Sequence, residues 1–279
     1  MRIAVLGATG NVGAEVVRLA AADGHDVRAV ARTEPAQLPD GARFLTGDLD
    51  DASTLEPALD DVDALFTLAG YAGLAQTLEL ARDQSAARVV LLSSSSAPTG
   101  RMDNAVARYN IESEHLVRAS GLEWTMLQPN AFMSNALRWL PQLREGDTVR
   151  EGFGDVPLSV VHPGDVAAVA FSALTDSRHA GRSYRLSGPE SLSTTERVHQ
   201  LGAAIGRPLT FEPLDDAAAR VVMLETTPPE YVDAFFQFYR DGIIDESSVQ
   251  PDFTDVMGRR PRDFGTWLAT NTARFTVRR

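Results

Sequence analysis

The sequence of 279 residues contains neither cysteine nor lysine. The absence of cysteine excludes disulfides, thiolate metal sites and cysteine nucleophiles, and it favours a reducing cytoplasmic location. The absence of lysine means that all 26 basic residues are arginine, which excludes any mechanism that needs a catalytic lysine. No apolar run approaches the roughly 20 residues that a membrane helix requires, so we expect no membrane partner.

Acidic residues outnumber basic ones and give a formal net charge of −12. A protein that binds nucleic acid usually presents a basic face, so we expect no nucleic-acid partner. The five histidines show no helical metal-binding spacing, and the sequence contains no Gly-x-Ser-x-Gly motif. The sequence therefore predicts neither a metal site nor a serine hydrolase.

Short apolar segments alternate with segments of helical periodicity in the first half of the chain. The predicted strands cover residues 3–6, 27–31, 43–45, 64–68, 88–92 and 124–127. Further helices are predicted at residues 74–82, 105–120, 163–174, 193–205, 215–224 and 229–239. This alternation is typical of an α/β fold with a parallel sheet, and right-handed crossovers make the sheet doubly wound.

A glycine-rich turn, Gly7-Ala8-Thr9-Gly10-Asn11-Val12-Gly13, lies between the first strand and the first helix. Glycine allows the backbone to approach a pyrophosphate, and the amides and dipole at the helix N-terminus then hold the anion. In this strand–turn–helix setting the turn predicts a dinucleotide site. We expect Val12 to pack beneath the turn.

The residue after the second strand distinguishes NADP from NAD. An acidic residue there binds the ribose 2′-hydroxyl, whereas an arginine accepts the 2′-phosphate. Arg32 occupies this position, so we expect NADP(H). Glu34 is the rival residue, and Arg28 is either a second phosphate ligand or a surface residue.

The pattern of strands and helices loosens after Pro129, with short strands predicted only at residues 159–161 and 184–186. We therefore predict an α/β protein with a Rossmann-type doubly wound parallel sheet and a smaller, mostly helical C-terminal lobe. Residues 1–130 are expected to form the NAD(P)-binding domain. Residues 131–279 are expected to form a substrate-binding lobe with segments that return to the sheet.

Several segments beyond the turn carry a family resemblance. They are Gly-Asp-Leu at 47–49, Val-Leu-Leu-Ser-Ser at 90–94, Ser-Gly-Leu-Glu-Trp-Thr at 120–125, Pro-Asn-Ala-Phe-Met-Ser-Asn at 129–135, Asp-Val-Ala at 165–167 and Gly-Arg-Arg-Pro-Arg-Asp-Phe at 258–264. Together they resemble the NmrA-like, atypical short-chain dehydrogenases over nearly the whole chain. The resemblance implies either reduction of small substrates with NADPH or dinucleotide binding by a non-catalytic sensor.

Short-chain dehydrogenases usually donate a proton from a Tyr-x-x-x-Lys pair. When the glutamate that follows this lysine is matched to Glu114, Val106 occupies the tyrosine position and Asn110 the lysine position. The candidate catalytic residues are therefore Tyr109, which either faces the substrate or packs on the sheet, and Ser95. Asn110 is expected to replace the lysine as a partner of the cofactor ribose.

Ligands of an open α/β sheet bind beyond the carboxyl ends of the strands. The predicted cofactor contacts are Gly7, Thr9, Gly10, Asn11, Val12, Arg32, Asp48, Leu49, Ala69, Gly70, Ser93, Asn110 and Pro129. Asp48 either covers the adenine edge or caps a helix over residues 52–59. The predicted substrate contacts are Tyr71, Ser96, Asn130, Phe132 and Met133. We expect one cavity to reach three strand-end segments: Tyr71 after the fourth strand, residues 95–96 after the fifth, and residues 130–133 after the sixth.

The sequence thus favours an NADPH-dependent oxidoreductase that acts on a small organic carbonyl, enone or quinone-like substrate. Because the cofactor carries the hydride chemistry, the protein chiefly needs to orient the two reactants. Two alternatives share the fold: a non-catalytic NADP-binding regulator that senses redox state, and an isomerase or cyclase that keeps the cofactor bound.

Overall fold

Parallel strands form the centre of the protein, which a computed structural model describes over residues 1–276. The strands are β1 (Arg2–Leu6), β2 (Asp26–Ala31), β3 (Ala42–Thr46), β4 (Ala64–Leu68), β5 (Arg88–Leu92), β6 (Glu123–Pro129), β7 (Thr148–Glu151), β8 (Arg182–Leu186) and β9 (Thr210–Pro213). Seven of them pair in the order β3-β2-β1-β4-β5-β6-β8, and every neighbouring pair is parallel. The order reverses between β1 and β4, which is where open α/β sheets bind their ligands.

Helices connect the strands and complete the C-terminal lobe. They are α1 (Gly13–Ala22), α2 (Glu56–Leu59), α3 (Leu74–Asp83), α4 (Ala105–Ala119), α5 (Leu140–Glu145), α6 (Pro163–Thr175), α7 (Thr194–Ile205), α8 (Asp216–Leu224), α9 (Pro229–Tyr239), α10 (Asp252–Met257) and α11 (Phe264–Phe275). Local sequence sets several of their boundaries. Gly24, with φ of +80°, follows α1, and Ser193 and Glu196 form a capping box at the start of α7.

The sheet is buried on both faces because helices cover each of them. On one face, Val16 of α1 and Val169 of α6 pack against β1 and β4. On the other face, Leu78 of α3 and Val117 of α4 pack against the same sheet. Strands buried on both faces require continuous apolar runs. This is why β1, β4 and β5 could be predicted from the sequence.

The predicted fold class is confirmed: a doubly wound parallel sheet carries a lobe that is mostly helical. The predicted strand at 184–186 forms part of β8, at the edge of the sheet. Both α6 and β8 follow residue 130, yet both belong to the sheet layers. The division into a domain of residues 1–130 and a lobe of residues 131–279 stays a prediction.

The predicted strand at 159–161 is wrong. The chain there makes only isolated bridges, between Phe132 and Val161 and between Leu158 and Leu192. The Ser159 amide instead donates to the Glu246 carbonyl, so successive residues bond to different segments and no ladder forms.

The sequence did not predict the pairing of β7 with β9, nor helices α10 and α11. Within residues 1–276, no helix is long and apolar enough to cross a membrane.

Candidate active site

The glycine turn leaves β1 through a left-handed residue and enters α1 at a point of close packing. Gly7 has φ of +72°, and its carbonyl oxygen accepts a hydrogen bond from the Gly10 amide at 2.9 Å. A Cβ atom on Gly13 would lie 2.2 Å from that carbonyl oxygen. Gly7 is therefore required by the backbone angle, and Gly13 by the close contact between helix and strand.

The outer face of the turn is open. Thr9, Gly10 and Asn11 are exposed, while Val12 is buried beneath them. A Cβ atom on Gly10 would meet only the Gly7 carbonyl oxygen, at 3.2 Å, and no other atom within 4 Å. The turn thus forms a cradle at the N-terminus of α1 that fits a pyrophosphate.

The end of β2 carries the residues predicted to select the cofactor. Arg32 is exposed, and within residues 1–276 no carboxylate forms an ion pair with it. Glu34 lines a cavity of about 380 Å³ beside Thr9. Arg28 is buried and donates to the carbonyl groups of Ala58 and Asp60. Both alternatives for Arg28, a second phosphate ligand and a surface residue, are therefore wrong, because its guanidinium is used within the protein.

Asp48 and Leu49 follow β3 at the same edge of the sheet. Asp48 accepts a hydrogen bond from the Asp50 amide at 3.1 Å, and Leu49 is buried. The helical turn that starts at Ala52 is capped by Asp51, whose carboxylate accepts from the Ser53 amide at 3.1 Å. The capping alternative for Asp48 is therefore wrong, and its contact with adenine stays a prediction.

The side chain of Tyr109, a residue of α4, lies beside the end of β4. Its ring packs against Gly70, which has φ of +88°, so closely that a Cβ atom on Gly70 would lie 2.9 Å from the ring. The ring also meets Tyr231 of α9 edge-to-face, with centroids 6.2 Å apart. Burial raises the pKa of the Tyr109 phenol, with an opposing contribution from a hydrogen bond to Asn110. The predicted residues Tyr71, which is partly exposed, and Ala69 adjoin this contact.

The serines after β5 are engaged in hydrogen bonds. Ser93 donates to the buried Glu114 at 2.7 Å, Ser95 donates to Glu246 at 2.6 Å, and Ser96 donates to Ser94 at 3.1 Å. Their proposed roles with cofactor or substrate stay predictions. Ser95 would have to break a buried hydrogen bond in order to act in catalysis.

Glu246 is the principal residue that the sequence analysis missed. Its side chain also accepts from the Ala131 amide at 3.0 Å and from the Tyr239 hydroxyl at 3.0 Å. Burial raises the pKa of Glu246, against the effect of these hydrogen bonds. The segment around it reads as a solvated acidic loop, Ile-Ile-Asp-Glu-Ser-Ser, and nothing in that pattern signals a buried carboxyl group.

The end of β6 places Asn130 beside this network. The Pro129 carbonyl oxygen accepts from the Ser95 amide at 3.0 Å, and Asn130 Nδ2 donates to the Ser159 hydroxyl at 2.9 Å. Asn130 Oδ1 is buried and has no hydrogen-bond partner within residues 1–276. An unsatisfied buried acceptor at a strand end fits a donor group of a bound ligand. Asn110, in contrast, donates to the Val106 carbonyl of its own helix at 2.9 Å.

A cavity of about 650 Å³ opens between the end of β6 and the C-terminal lobe. It is lined by Ala131, Ser134 and Asn135 from the segment after β6, but not by Tyr71, Ser95 or Ser96. Phe132 packs against the sheet core and Met133 is buried in the core of the lobe. This cavity therefore does not reach all three strand-end segments, although the sequence analysis expected a single cavity to do so. The roles of the predicted substrate residues stay predictions.

This cavity adjoins the dinucleotide turn. The Asn11 side chain donates to the Ser134 hydroxyl at 3.1 Å, and Ser134 lines the cavity. The open turn at the reversal of the sheet order, together with the exposed Arg32 after β2, fits the phosphate groups of an NADP(H) molecule.

Comparison with known proteins identifies the family of this chain. The sequence model of the NAD(P)H-binding family matches residues 7–177. The (4-alkanoyl-5-oxo-2,5-dihydrofuran-3-yl)methyl phosphate reductase of Streptomyces griseus is 38% identical, over 98% of this chain and 99% of that protein. The NAD(P)H azoreductase of Xenophilus azovorans is 29% identical over the same shares of the two chains.

Solved structures share the fold at low sequence identity. Citrobacter triphenylmethane reductase superposes with a TM-score of 0.79 at 17% identity, covering 98% of this chain and all of that one. The NADPH-dependent quinone oxidoreductase of Escherichia coli superposes with a TM-score of 0.75 at 20% identity, covering 96% and 98%. This chain belongs to the NAD(P)H-binding family, in agreement with its resemblance to the NmrA-like, atypical short-chain dehydrogenases.

Proposed function

We propose that this protein is an NADPH-dependent reductase whose substrate is a small organic molecule with an enone or quinone-like carbonyl system. The observation that carries the proposal is the open glycine turn at the reversal of the sheet, joined through Asn11 and Ser134 to a cavity of about 650 Å³. That volume lies within the range of small-molecule sites, about 300–1,000 Å³. A sensor needs the turn but not the adjoining cavity.

The names of the relatives support this chemistry. The 2,5-dihydrofuran ring in the name of the Streptomyces relative contains a carbon–carbon double bond conjugated to carbonyl groups. The Xenophilus relative is named for reduction of an azo group with NAD(P)H. The conjugated carbonyl system in the first name falls within the class expected from the sequence, whereas the azo group in the second name lies outside it.

The residues divide the work of such a reaction. Bound NADPH supplies the hydride. Gly7, Gly10 and Asn11 would hold the pyrophosphate at α1, and Asn130 supports the segment after β6 by donating to the Ser159 hydroxyl. The Tyr109 phenol or water donates the proton that completes the reduction. Because no lysine assists Tyr109, an uncharged phenol is the form available at neutral pH.

We propose a cytoplasmic location for the protein. The test is NADPH oxidation by the purified protein with a panel of quinones and enones, in a buffer without thiols because thiols themselves add to such compounds. We expect turnover with at least one conjugated carbonyl compound. Tyr109→Phe is expected to lower kcat by roughly a hundredfold if the phenol is the donor, whereas unchanged kcat assigns the proton to water. Tight NADPH binding without turnover of any compound would support the regulator instead.

A further inference from the structure

The cavity of the C-terminal lobe has walls of two different chemistries. Val222, Met223 and Phe235, on α8 and α9, contribute apolar surface on one side. Arg138, Arg150 and Arg197 line it elsewhere, together with a single acidic residue, Glu151. Positive charge is therefore concentrated in a cavity of a protein whose net charge is −12.

Arg197 stands out among these arginines because it is buried without a counter-ion. It lies on α7 with 3% of its surface exposed. Its Nη2 donates to the Thr194 hydroxyl at 2.8 Å. Its Nε has no hydrogen-bond partner, and within residues 1–276 no carboxylate forms an ion pair with it. The guanidinium is thus only partly satisfied by the protein.

The nearby carboxylates are already engaged. Glu151 pairs with Arg138 at 2.5 Å and accepts from the Trp139 indole at 3.1 Å. Glu246 accepts from Ser95 and Tyr239. Arginine stays charged in proteins, and a buried charge without a partner is costly. Such a residue on a cavity wall is satisfied when an anionic ligand enters.

We propose that Arg197 binds an anionic head group of the substrate, a phosphate monoester or a carboxylate, while the apolar part of the substrate lies against α8 and α9. The inference rests on the proposed function, because it assigns the cavity beside the cofactor turn to the substrate. A guanidinium suits both head groups because its planar donors match their paired oxygens. Arg197 is thereby a specificity-determining residue.

Calorimetry tests the site without any turnover. We expect 1-naphthyl phosphate to bind at least about tenfold more tightly than uncharged 1-naphthol, which is the scale of one charge-assisted hydrogen bond. 1-Naphthoate in place of the phosphate distinguishes the two head groups. Arg197→Met is expected to remove the difference between charged and uncharged probes, and Arg197→Lys to restore part of it.

The matched control is Arg150→Met. Arg150 lines the same cavity, but it pairs with Glu212 at 2.7 Å and its side chain is largely exposed, so we expect the preference for the charged probe to survive. Equal binding of naphthyl phosphate and naphthol to the unaltered protein would overturn the proposal without any variant. So would a preference that Arg197→Met leaves intact.

Kinetics separates this inference from the proposed function. With a carboxylate-bearing enone and its methyl ester, Arg197→Met is expected to raise KM for the acid much more than for the ester. A purely structural role would change both substrates equally. If the unaltered protein reduces neither substrate but still binds naphthyl phosphate through Arg197, the reductase assignment fails while the anion site stands.

Discussion

Gly10 faces the space that the pyrophosphate is expected to fill. A Cβ atom there is tolerated by the protein itself, apart from a contact of 3.2 Å with the Gly7 carbonyl oxygen. We therefore predict that Gly10→Val lowers NADPH affinity by more than about tenfold while the fold persists, because the added side chain occupies the anion cradle. Calorimetric titration with NADPH measures this directly.

The control for that variant is Gly146→Val. Gly146 has extended backbone angles, and a Cβ atom on it would meet nothing within 4 Å. We expect Gly146→Val to bind NADPH normally. Unchanged affinity in a folded Gly10→Val variant would mean that the turn is only structural.

Arg32 is the residue predicted to select the phosphorylated cofactor. We expect NADPH to bind at least about tenfold more tightly than NADH, and Arg32→Ala to erase most of that difference, since a charge-assisted contact contributes about 1.5–3 kcal/mol. Dissociation constants for both cofactors in both proteins test this. Glu34→Gln is the companion variant, because a preference of the unaltered protein for NADH would show that Glu34 governs the site.

At the scale of elements, the segment that carries Glu246 joins the sheet to the lobe. The Glu246 side chain bonds to Ser95 after β5, to Ala131 after β6 and to Tyr239 of α9. Its backbone carbonyl accepts from the Ser159 hydroxyl at 2.8 Å. One residue therefore holds three elements in place around the predicted reactive end of the cofactor.

This burial gives stability a defined pH dependence. Because the pKa of Glu246 is raised on folding, the unfolded chain loses this proton first as pH rises. The stabilising contribution of Glu246 is complete below the ordinary glutamate pKa of about 4.3. That contribution is lost as pH rises through the pKa of Glu246 in the folded protein. We predict that Glu246→Gln, which does not titrate, gains stability relative to the unaltered protein as pH rises from acidic to neutral values.

Urea unfolding of both proteins across that pH range is the measurement. Glu225→Gln, at the exposed end of α8, is the control and should follow the unaltered protein at every pH. A constant difference between the Glu246→Gln and unaltered curves would contradict the predicted burial of the charge.

The elements that sequence analysis predicted are those determined by local pattern. β1, the glycine turn and α1 lie within 22 residues, and the buried strands have continuous apolar runs. The lobe could not be predicted as well, because its contacts join distant segments: β7 pairs with β9 about 60 residues later, and Glu246 reaches Ser95 across 151 residues. The same limit hid Arg197, because its guanidinium lies 5.9 Å from the centre of the Trp139 ring, which is distant in the sequence.

At the scale of the whole molecule, the sheet edge and the lobe are proposed to form two halves of one site. α9 is held to α4 by the buried Asn104, whose side chain donates to the Ala234 carbonyl at 3.1 Å and to Gln237 at 2.9 Å. Asp165 of α6 is fully buried and pairs with Arg259 and Arg262, which ties the segment before α11 to the sheet layer. These ties place the cavity of the lobe beside the cofactor turn.

The most direct test of the reductase assignment follows the hydride itself. NADPH deuterated at C4 of the nicotinamide, with separate samples for each face, is incubated with the protein and a conjugated ketone that it consumes. We predict that deuterium from one face alone appears on carbon in the reduced product, as shown by mass spectrometry and NMR, because the site holds both reactants in a fixed orientation. A product without deuterium from either face, or a substrate isomerised with no loss of NADPH, would contradict the assignment.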